Sequence, residues 1–466
     1  MFSSATYTRR RQALLNADAP ASGLVLLLGN EAAAMNYRGN PYPFRQDSTF
    51  LYYVGLDVPG LAAVIDLDDG QTRLYGDDPT LDDVIWMGDR PSVQALAERA
   101  GIETTAPRST LVEDMTAAID ASRPVHFLPP YRDRQTRQLG DLTGIRAERV
   151  EAYASRPLMH TVVHHRSVKS AEEIDQIETA VRTTVRMHRS AMRRARPGRR
   201  EREVAGFLSG IADAYGRGLS FRPTCSIRGE ILHNHDYSRT MDAGDLFLVD
   251  AGATSPEYYA GDVTRVTPVD GTFTDRQRPL YKAVLAAQRA AIEAIEPGVP
   301  FRDVHLHAAR VLTEHLKALG LMQGDVDEAV AAGAHALFFP HGLGHMMGLD
   351  VHDMENLGED RVGYADDQDR SSQFGLHTLR LARPLRTGFV VTVEPGCYFI
   401  PALIDQWRAA NKHEAFIDYE TVADYADFGG IRIEDDVLVT DEGAQILGPD
   451  LPKAPSAVEA LAQESG

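Results

Sequence analysis

Five acidic or histidine side chains, spread over nearly two hundred residues, each stand in or beside a short segment that is typical of a strand or a turn. They are Asp250, Asp262, His345, Glu394 and Glu434. Asp250 ends the apolar run 246–249, and Glu394 follows the run Val-Val-Thr-Val. Carboxylates that lie a few ångströms apart cannot all ionise unless cations hold them. If the fold brings these residues together, the simplest partner is a pair of divalent metal ions.

The donor set indicates which metal would bind. Carboxylate oxygens and imidazole suit hard divalent ions, whereas thiolates favour Zn²⁺ or Cu⁺. Four carboxylates, one imidazole and no cysteine therefore favour Mn²⁺, with Co²⁺ or Zn²⁺ as alternatives. Two such ions about 3.5–4 Å apart can share carboxylates and a bridging hydroxide that attacks an acyl carbon. The set predicts metal-dependent hydrolysis, for which a peptide bond is the natural substrate.

The charge balance limits the possible partners. The 466 residues carry 48 Lys and Arg against 67 Asp and Glu, a formal net charge of −19. Nucleic acids and anionic membrane surfaces attract clustered basic residues, so we expect neither as a partner. The two cysteines, Cys225 and Cys397, lack a paired spacing and argue against a disulfide framework. Small or cationic ligands fit this charge better. Since the start of the chain has no apolar signal-peptide region and no run of about 18 apolar residues occurs, we expect a soluble cytoplasmic protein.

The length of the chain predicts two domains. In residues 1–165, short apolar runs alternate with helix-like stretches such as 92–100, the pattern of an α/β domain. The runs are 23–28, 50–54, 61–67 and 125–128. Ser170 followed by Glu173 predicts a capping box that starts a long helix. We therefore place a second, catalytic domain at residues 166–466.

An internal repeat is predicted in this second domain. A helix, a Pro-Gly turn, a second helix and strands occur twice, with the turns at 197–198 and 297–298. The second helices are expected at about 200–215 and 302–319. The strands of the first copy lead to Asp250 and Asp262, and those of the second carry 341–353 and Glu394. A chance match of Pro-Gly turns is the alternative, but a duplicated half-domain would make the two sets of ligands face each other.

Five sequence blocks contain all of the proposed ligands. The blocks are LVDAGA, YAGDVTRV, HGLGHMMGLDVHD, VVTVEPGCYF and GGIRIEDDVLVT. Together they resemble the proline-specific branch of the pita-bread metallopeptidases, the Xaa-Pro dipeptidases (prolidases) and Xaa-Pro aminopeptidases. The earlier segment FRQDSTFLYYVGL is similar to the creatinase-type N-terminal domain of those enzymes. The resemblance implies an α/β (α+β) protein, in which this N-terminal domain precedes a pita-bread catalytic domain built from two halves related by a pseudo-twofold axis.

The resemblance implies a role for each ligand. Asp250 would hold one metal ion, Asp262 and Glu434 would bridge the two ions, and His345 and Glu394 would hold the other. Glu394 would also act as general base toward the bridging water. Asp250 and Asp262 are twelve residues apart, one more than the family pattern, which suggests a longer turn at 255–258.

Four further residues match positions that face the substrate in this family. His233, His341 and His352 match histidines that stabilise the developing oxyanion and the scissile nitrogen. Arg432 matches the arginine beside the bridging glutamate. Strand alternation supports this, because Arg432 and Glu434 are two residues apart and would point to the same face of a strand. The arginine would orient the ligand or meet the substrate.

One arginine helps to choose between the two activities of this branch. In prolidases, an arginine in a Leu-Arg element meets the free carboxylate of a dipeptide, and Arg380 matches that position. A peptide extended past proline would lose this pairing. We therefore expect an Xaa-Pro dipeptidase, acting on peptides with proline at the second position. The alternatives are an Xaa-Pro aminopeptidase, with Arg380 as a surface residue, and a catalytically silent binding module, which the complete ligand set disfavours.

Two further expectations concern assembly and a surface segment. The resemblance implies a homodimer. The stretch 355–369 is rich in acidic residues and contains glycines, which is typical of a solvated loop. A lid or a dimer contact are the alternative interpretations of this stretch.

Overall fold

The computed structural model describes residues 2–464 of the chain. The chain divides into two compact units, Met1–Arg166 and Ser167–Gly466. Within residues 2–464, no helix combines the length and the apolar character needed to cross a membrane.

The first unit is built on a mixed sheet with the strand order β4-β3-β2-β1-β5. The strands are β1 (Leu24–Leu28), β2 (Ala62–Asp66), β3 (Thr72–Tyr75), β4 (Thr104–Ala106) and β5 (Val125–His126). The helices are α1 (Ser4–Leu15), α2 (Ser48–Tyr53), α3 (Leu81–Met87), α4 (Val93–Ala100), α5 (Leu111–Asp120), α6 (Asp133–Thr143) and α7 (Arg156–Ser167). The pairs β1–β2 and β2–β3 are antiparallel, whereas β1–β5 and β3–β4 are parallel. This arrangement confirms the predicted α/β character.

One apolar run of the first unit is helical. Residues 50–54 were set apart from the helix-like stretches in the α/β pattern, but they lie mostly in helix α2. Asp47 caps this helix, since its side chain accepts a hydrogen bond from the backbone N–H of Phe50 at 2.8 Å. A short apolar run that is buried on all sides has no periodicity with which to distinguish a helix from a strand.

The second unit contains the remaining elements, in two similar halves. Its helices are α8 (Ala171–Arg194), α9 (Glu201–Tyr215), α10 (Gln277–Glu293), α11 (Phe301–Ala318), α12 (Val326–Ala332), α13 (Glu359–Gly363), α14 (Pro401–Ala409), α15 (Tyr419–Ala423) and α16 (Pro455–Gln463). Its strands are β6 (Thr224–Ser226), β7 (Leu246–Ala251), β8 (Val263–Pro268), β9 (Val390–Val393), β10 (Gly396–Tyr398), β11 (Gly430–Arg432), β12 (Asp435–Thr440) and β13 (Gly443–Ile446). The sheets have the orders β6-β7-β8, β13-β12-β9 and β10-β11.

The long helix at the start of this unit begins where the sequence predicted. The side chain of Ser170 accepts from the backbone N–H of Glu173, and the Glu173 carboxylate accepts from the backbone N–H of Ser170 at 3.0 Å. This confirms the capping box. The inner face of α8 buries Met187 against Leu208 of α9 and Phe247 of β7, so the helices form one core with the first sheet.

The predicted repeat is confirmed in its helices and turns. In the first half, α8 and α9 accompany β6-β7-β8, and in the second half α10 and α11 accompany β13-β12-β9. Gly198 and Gly298 close the Pro-Gly turns with φ of 83° and 90°, a conformation that favours glycine. The expected strands at 341–353 are wrong: this segment is a loop apart from a bridge between Met346 and Val391.

Candidate active site

The edges of the two half-domain sheets carry most of the predicted ligands. Asp250 lies within β7, and Asp262 directly precedes β8. These strands are antiparallel with Asp250 opposite Thr264, so both carboxylates lie at one end of the first sheet. Glu394 directly follows β9, and Glu434 forms an isolated bridge with Thr264. That bridge joins the two halves at the site.

Three of the ligands form a compact buried cluster. One donor atom each from Asp262, His345 and Glu434 lie within 4.8 Å of one another. His345 Nε2 lies 3.5 Å from Asp262 Oδ2 and 3.7 Å from Glu394 Oε1. His345 Nδ1 lies 3.1 Å from the carbonyl oxygen of Met346, a bond that requires a proton on Nδ1. Nε2 therefore keeps its lone pair for a metal ion.

Burial makes the carboxylates of this cluster unusually basic. Desolvation, reinforced by the charge of Glu434, raises the pKa of Asp262 well above its usual range. Desolvation also raises the pKa of Glu434 strongly and that of Glu394 to about 8. The same effect lowers the pKa of His345 well below its usual value. The imidazole is therefore a neutral donor, and the carboxylates hold protons that a cation would replace.

The residues present fit a divalent metal site. Asp262 Oδ1 is buried and, within residues 2–464, has no hydrogen-bond partner. A buried carboxylate oxygen without a partner is costly, and a cation would satisfy it. Oxygen donors with a single imidazole and no thiolate match the preference of hard divalent ions.

Arg432 is a cation that the chain itself supplies beside the ligands. Its Nη2 donates to Asp250 Oδ2 at 2.6 Å, and its Nη1 donates to the Tyr398 hydroxyl at 2.8 Å. His341 Nδ1 lies 2.8 Å from the Gly342 carbonyl and must be the protonated nitrogen, so Nε2 accepts from the Tyr398 hydroxyl at 2.9 Å. Burial and the charge of Arg432 lower the pKa of His341 to about 3. Hydrogen bonds thus connect Asp250 to a neutral His341, both of whose nitrogens are engaged.

One cavity collects all of the residues that the sequence proposed for the site. Its volume is about 340 Å³, within the range of about 300–1,000 Å³ that is usual for small-ligand sites. The proposed residues on its lining are His233, Asp250, Asp262, His341, His345, His352, Arg380, Glu394, Arg432 and Glu434. His233 is exposed at this lining, whereas His345 is buried.

Arg380 stands in the wall of this cavity, and acidic residues hold it there. Its side chain is 33% exposed, and Nη1 donates to Glu355 Oε1 and, at 2.9 Å, to Glu359 Oε1. Glu355 begins a short 3₁₀ turn, and Glu359 begins α13. The expectation of a solvated loop at 355–369 is therefore wrong for its first part, because two of its acids are paired with an arginine of the site.

Three residues that support the ligands were not singled out from the sequence. Thr264 Oγ1 donates to Glu434 Oε2 at 2.6 Å and accepts from Arg432 Nε at 3.2 Å, so Arg432 and Glu434 do point to the same side. Asp436 Oδ2 accepts from the backbone N–H of Asp262 at 2.9 Å. Tyr398 is the third. All three lie within the sequence blocks that carry the ligands, which was the only indication available.

Comparison with known proteins identifies the class. Residues 175–441 match the metallopeptidase family M24, and residues 7–126 match the N-terminal domain of aminopeptidase P. The match covers more than half of the chain, and the chain carries a cluster of carboxylates and a histidine between two similar half-domains. Together these two observations define a metallopeptidase. The chain belongs to metallopeptidase family M24. The sequence-based resemblance is confirmed.

Individual relatives cover nearly the whole chain. The human Xaa-Pro dipeptidase is 32% identical over 445 residues, which cover 93% of this chain and 87% of the relative. The Escherichia coli Xaa-Pro aminopeptidase is also 32% identical, over 468 residues that cover 98% of this chain and 97% of the relative. Among solved structures, the Pseudomonas aeruginosa aminopeptidase PepP superposes with a TM-score of 0.81 at 28% identity, covering 99% of this chain and 98% of that chain. The predicted fold, with a creatinase-type N-terminal domain and a pita-bread catalytic domain, is confirmed.

Proposed function

We propose that this chain is an Xaa-Pro dipeptidase that uses two divalent metal ions and releases proline from a dipeptide. The observation that carries the proposal is the position of Arg380 in the wall of the cavity that holds the ligand cluster. A guanidinium there suits the carboxylate at the end of a dipeptide. The likeness to the human Xaa-Pro dipeptidase supports this reading.

The residues of the cluster would hold the metal ions. The ligands are Asp250, Asp262, His345, Glu394 and Glu434. When bound, two divalent ions supply Lewis-acid activation of water and of the scissile carbonyl. We favour Mn²⁺ because the donors are mostly carboxylates, with Co²⁺ and Zn²⁺ as alternatives. Recovery of activity in metal-stripped protein after addition of each ion separately would rank them.

The remaining residues would bind substrate and move protons. Glu394 would take the proton of the attacking water at its carboxylate and pass it to the leaving proline nitrogen. His352 and His233 lie on the cavity lining, where an imidazole N–H can donate to the developing oxyanion. Arg432 and Tyr398 hold Asp250 and His341 in place. Each of these steps uses groups that line the cavity or contact its lining.

The test compares a dipeptide with a tripeptide. We expect metal-stripped enzyme supplied with Mn²⁺ to release proline from Ala-Pro and to leave Ala-Pro-Ala almost uncleaved. Arg380→Ala should lower kcat/KM for Ala-Pro by about 10- to 150-fold, because a hydrogen bond to a charged group contributes about 1.5–3 kcal/mol. Arg386→Ala, which removes an exposed arginine of the same stretch, is the control and should leave kcat/KM unchanged.

Two other outcomes would change the proposal. Efficient cleavage of Ala-Pro-Ala that is insensitive to Arg380→Ala would make this an Xaa-Pro aminopeptidase, the activity for which the Escherichia coli relative is named. Absence of cleavage of either peptide with any of the three ions would reject both activities.

We also propose a homodimer in the cytoplasm. Helix α3 has no buried residue and presents Leu81 and Trp86, both 77% exposed, together with Ile85 at 66% and Met87 at 65%. Apolar patches of this kind mark contact surfaces. Size-exclusion chromatography with light scattering should give a dimer for the wild type and a monomer for Trp86→Glu. Both cysteines are free and buried, which suits a reducing compartment.

A further inference from the structure

A single carboxylate joins two residues of the substrate cavity. Glu355 Oε2 lies 2.6 Å from His352 Nδ1, and Glu355 Oε1 accepts from Arg380 Nη1. We propose that Glu355 is a positioning residue that fixes the side chains of Arg380 and His352 relative to each other. When Arg380 binds the substrate carboxylate, His352 is then already in place to polarise the scissile bond. This inference rests on the proposed function, in which Arg380 binds that carboxylate.

Glu355 lies behind the substrate cavity. Arg380 and His352 line the cavity of about 340 Å³, whereas Glu355 is not part of its lining. A smaller neighbouring cavity is lined by Glu355 and Glu359 and also by the same arginine and histidine. Arg380 and His352 thus line both cavities, and the glutamate can hold them without occupying the place of the substrate.

The contacts of Glu355 leave donors available for a substrate. Within residues 2–464, hydrogen bonds reach the Arg380 guanidinium only at Nη1, so Nε and Nη2 remain for a carboxylate. A carboxylate at His352 Nδ1 accepts its N–H, which leaves Nε2 for the reacting bond. The His352 ring packs edge-on against His345, with centroids 4.2 Å apart, so the imidazole lies beside the ligand cluster.

The charge state of Glu355 suits this role. The hydrogen bond from His352, outweighing partial burial, lowers the pKa of Glu355 to about 2. The carboxylate is therefore ionised throughout the neutral range and can accept from both partners at once. Ionised acceptors make shorter and stronger hydrogen bonds than neutral ones, which fits the 2.6 Å contact with His352.

The backbone before Glu355 aims its side chain. Met354 adopts a left-handed conformation with φ of 63°, which residues other than glycine rarely do. Its side chain is buried, at 2% exposure, and anchors this conformation. The turn ends at Gly358, where φ is 109°. Strained backbone of this kind persists where the surroundings hold it, and here it directly precedes Glu355, whose carboxylate contacts His352.

Glu359 offers a matched comparison. Its Oε1 accepts from the same Arg380 Nη1 at 2.9 Å, but its Oε2 accepts from Arg370 Nη2 at 2.9 Å. Glu359 therefore shares the contact with Arg380 and lacks the contact with His352. A variant of Glu359 separates the loss of an acidic partner of the arginine from the loss of the connection to the histidine.

The experiment measures kcat and KM of Mn²⁺-loaded enzyme for Ala-Pro and for its C-terminal amide, which lacks the carboxylate. We expect Glu355→Ala to lower kcat at least tenfold for both substrates and to raise KM at least tenfold for Ala-Pro only. Glu359→Ala should raise KM for Ala-Pro and keep kcat within threefold. The double variant Glu355→Ala/Arg380→Ala should lose less kcat/KM for Ala-Pro than the product of the single losses, because the two residues act together.

The outcomes separate this inference from the proposed function. If the wild type does not prefer Ala-Pro to its amide, recognition of the carboxylate fails, whatever Glu355 does. If the wild type has that preference and Glu355→Ala keeps kcat and KM within threefold, the positioning role is wrong. Glu355→Gln guards against a local folding defect, because it preserves the size of the side chain. Its single acceptor oxygen can serve only one partner, so its N–H₂ group must face either His352 Nδ1 or Arg380 Nη1, and either kcat should fall or KM for Ala-Pro should rise. A kcat and a KM in the Gln variant that both equal those of the wild type would overturn the inference.

Discussion

Replacement of Asp435 by Asn tests how the chain supports its metal ligands. Asp435 is 5% exposed and directly follows Glu434. Its Oδ1 accepts from Arg265 Nη2 at 2.6 Å, and its Oδ2 accepts from Lys453 Nζ at 2.5 Å and from Gln288 Nε2 at 2.7 Å. Arg265 Nη1 also donates to the backbone carbonyl of Glu434 at 2.6 Å. The buried carboxylate therefore holds the arginine that fixes the backbone of a ligand.

The expected cost follows from these contacts. Asn at this position removes the negative charge and places an N–H₂ group opposite the donors of Arg265, Lys453 or Gln288. Loss of one partner of a buried ion pair costs about 3–5 kcal/mol, because the remaining charge stays buried. For a unit of this size, each kcal/mol corresponds to about 2–4 °C, so Tm should fall by about 6–20 °C.

The pH dependence adds a second check. Burial acts to raise the pKa of Asp435, but Arg265 and Lys453 outweigh it and hold the pKa below its usual range. A depressed pKa contributes stability above the unfolded value of about 3.9, and this contribution is lost as the pH falls through the folded value. The difference between the wild type and Asp435→Asn should therefore be complete at neutral pH and shrink below about pH 4.

Thermal unfolding of metal-stripped protein, followed by calorimetry, measures both effects. Asp441→Asn is the matched control, since Asp441 is exposed, directly follows the same strand and, within residues 2–464, accepts a side-chain hydrogen bond only from Thr387 Oγ1, at 2.7 Å. Its cost should stay within about 0.5 kcal/mol. A fall in Tm for Asp435→Asn no larger than that of Asp441→Asn would refute the reasoning.

Two further predictions concern the ligand cluster. Glu394→Gln should abolish turnover of Ala-Pro, since it removes the proposed base, which is largely buried. The circular dichroism spectrum should stay unchanged. A kcat of a tenth of the wild-type value or more would contradict the role of Glu394. In metal-stripped protein, the free energy of unfolding should fall as the pH rises from about 5.5 to 8. Burial raises the pKa of Glu394 to about 8, so the folded state keeps a proton that the unfolded state has already released. The slope should approach about 1.4 kcal/mol per pH unit for each such proton, and Mn²⁺ should abolish it; equal pH profiles of Tm with and without metal would show that the cluster does not hold the ion.

Local features of this chain could be predicted from the sequence. The capping box at Ser170 and Glu173 depends on hydrogen bonds between residues three apart, and the structure contains both bonds. The Pro-Gly turns at 197–198 and 297–298 depend on the conformational freedom of glycine, and both glycines have positive φ. Such features need no knowledge of distant residues.

Features that depend on distant contacts could not be predicted in the same way. The run 50–54 was not recognised as a helix because its residues are buried on all sides and therefore lack the periodicity that identifies one. The segment 341–353 is a loop whose backbone passes close to β9. The approach is so close that a Cβ atom added at Gly344 would lie 2.0 Å from the Thr392 carbonyl oxygen, a contact with a distant strand that no local pattern predicts. The acids of 355–369 were interpreted as solvated, because their partner Arg380 follows Glu355 by 25 residues and no local pattern pairs them.

The sequence by itself determined the chemistry of this protein: four carboxylates, one imidazole and an arginine in recognisable blocks, and therefore a hydrolase that binds metal. The tertiary structure decided how these groups act on one another. The bridge between Thr264 and Glu434, 170 residues apart, joins the half-domains, and burial then raises the pKa values of the carboxylates. The structure also placed Glu355 against both His352 and Arg380. Desolvation and charge interactions depend on distances in space, which a linear order of residues does not contain.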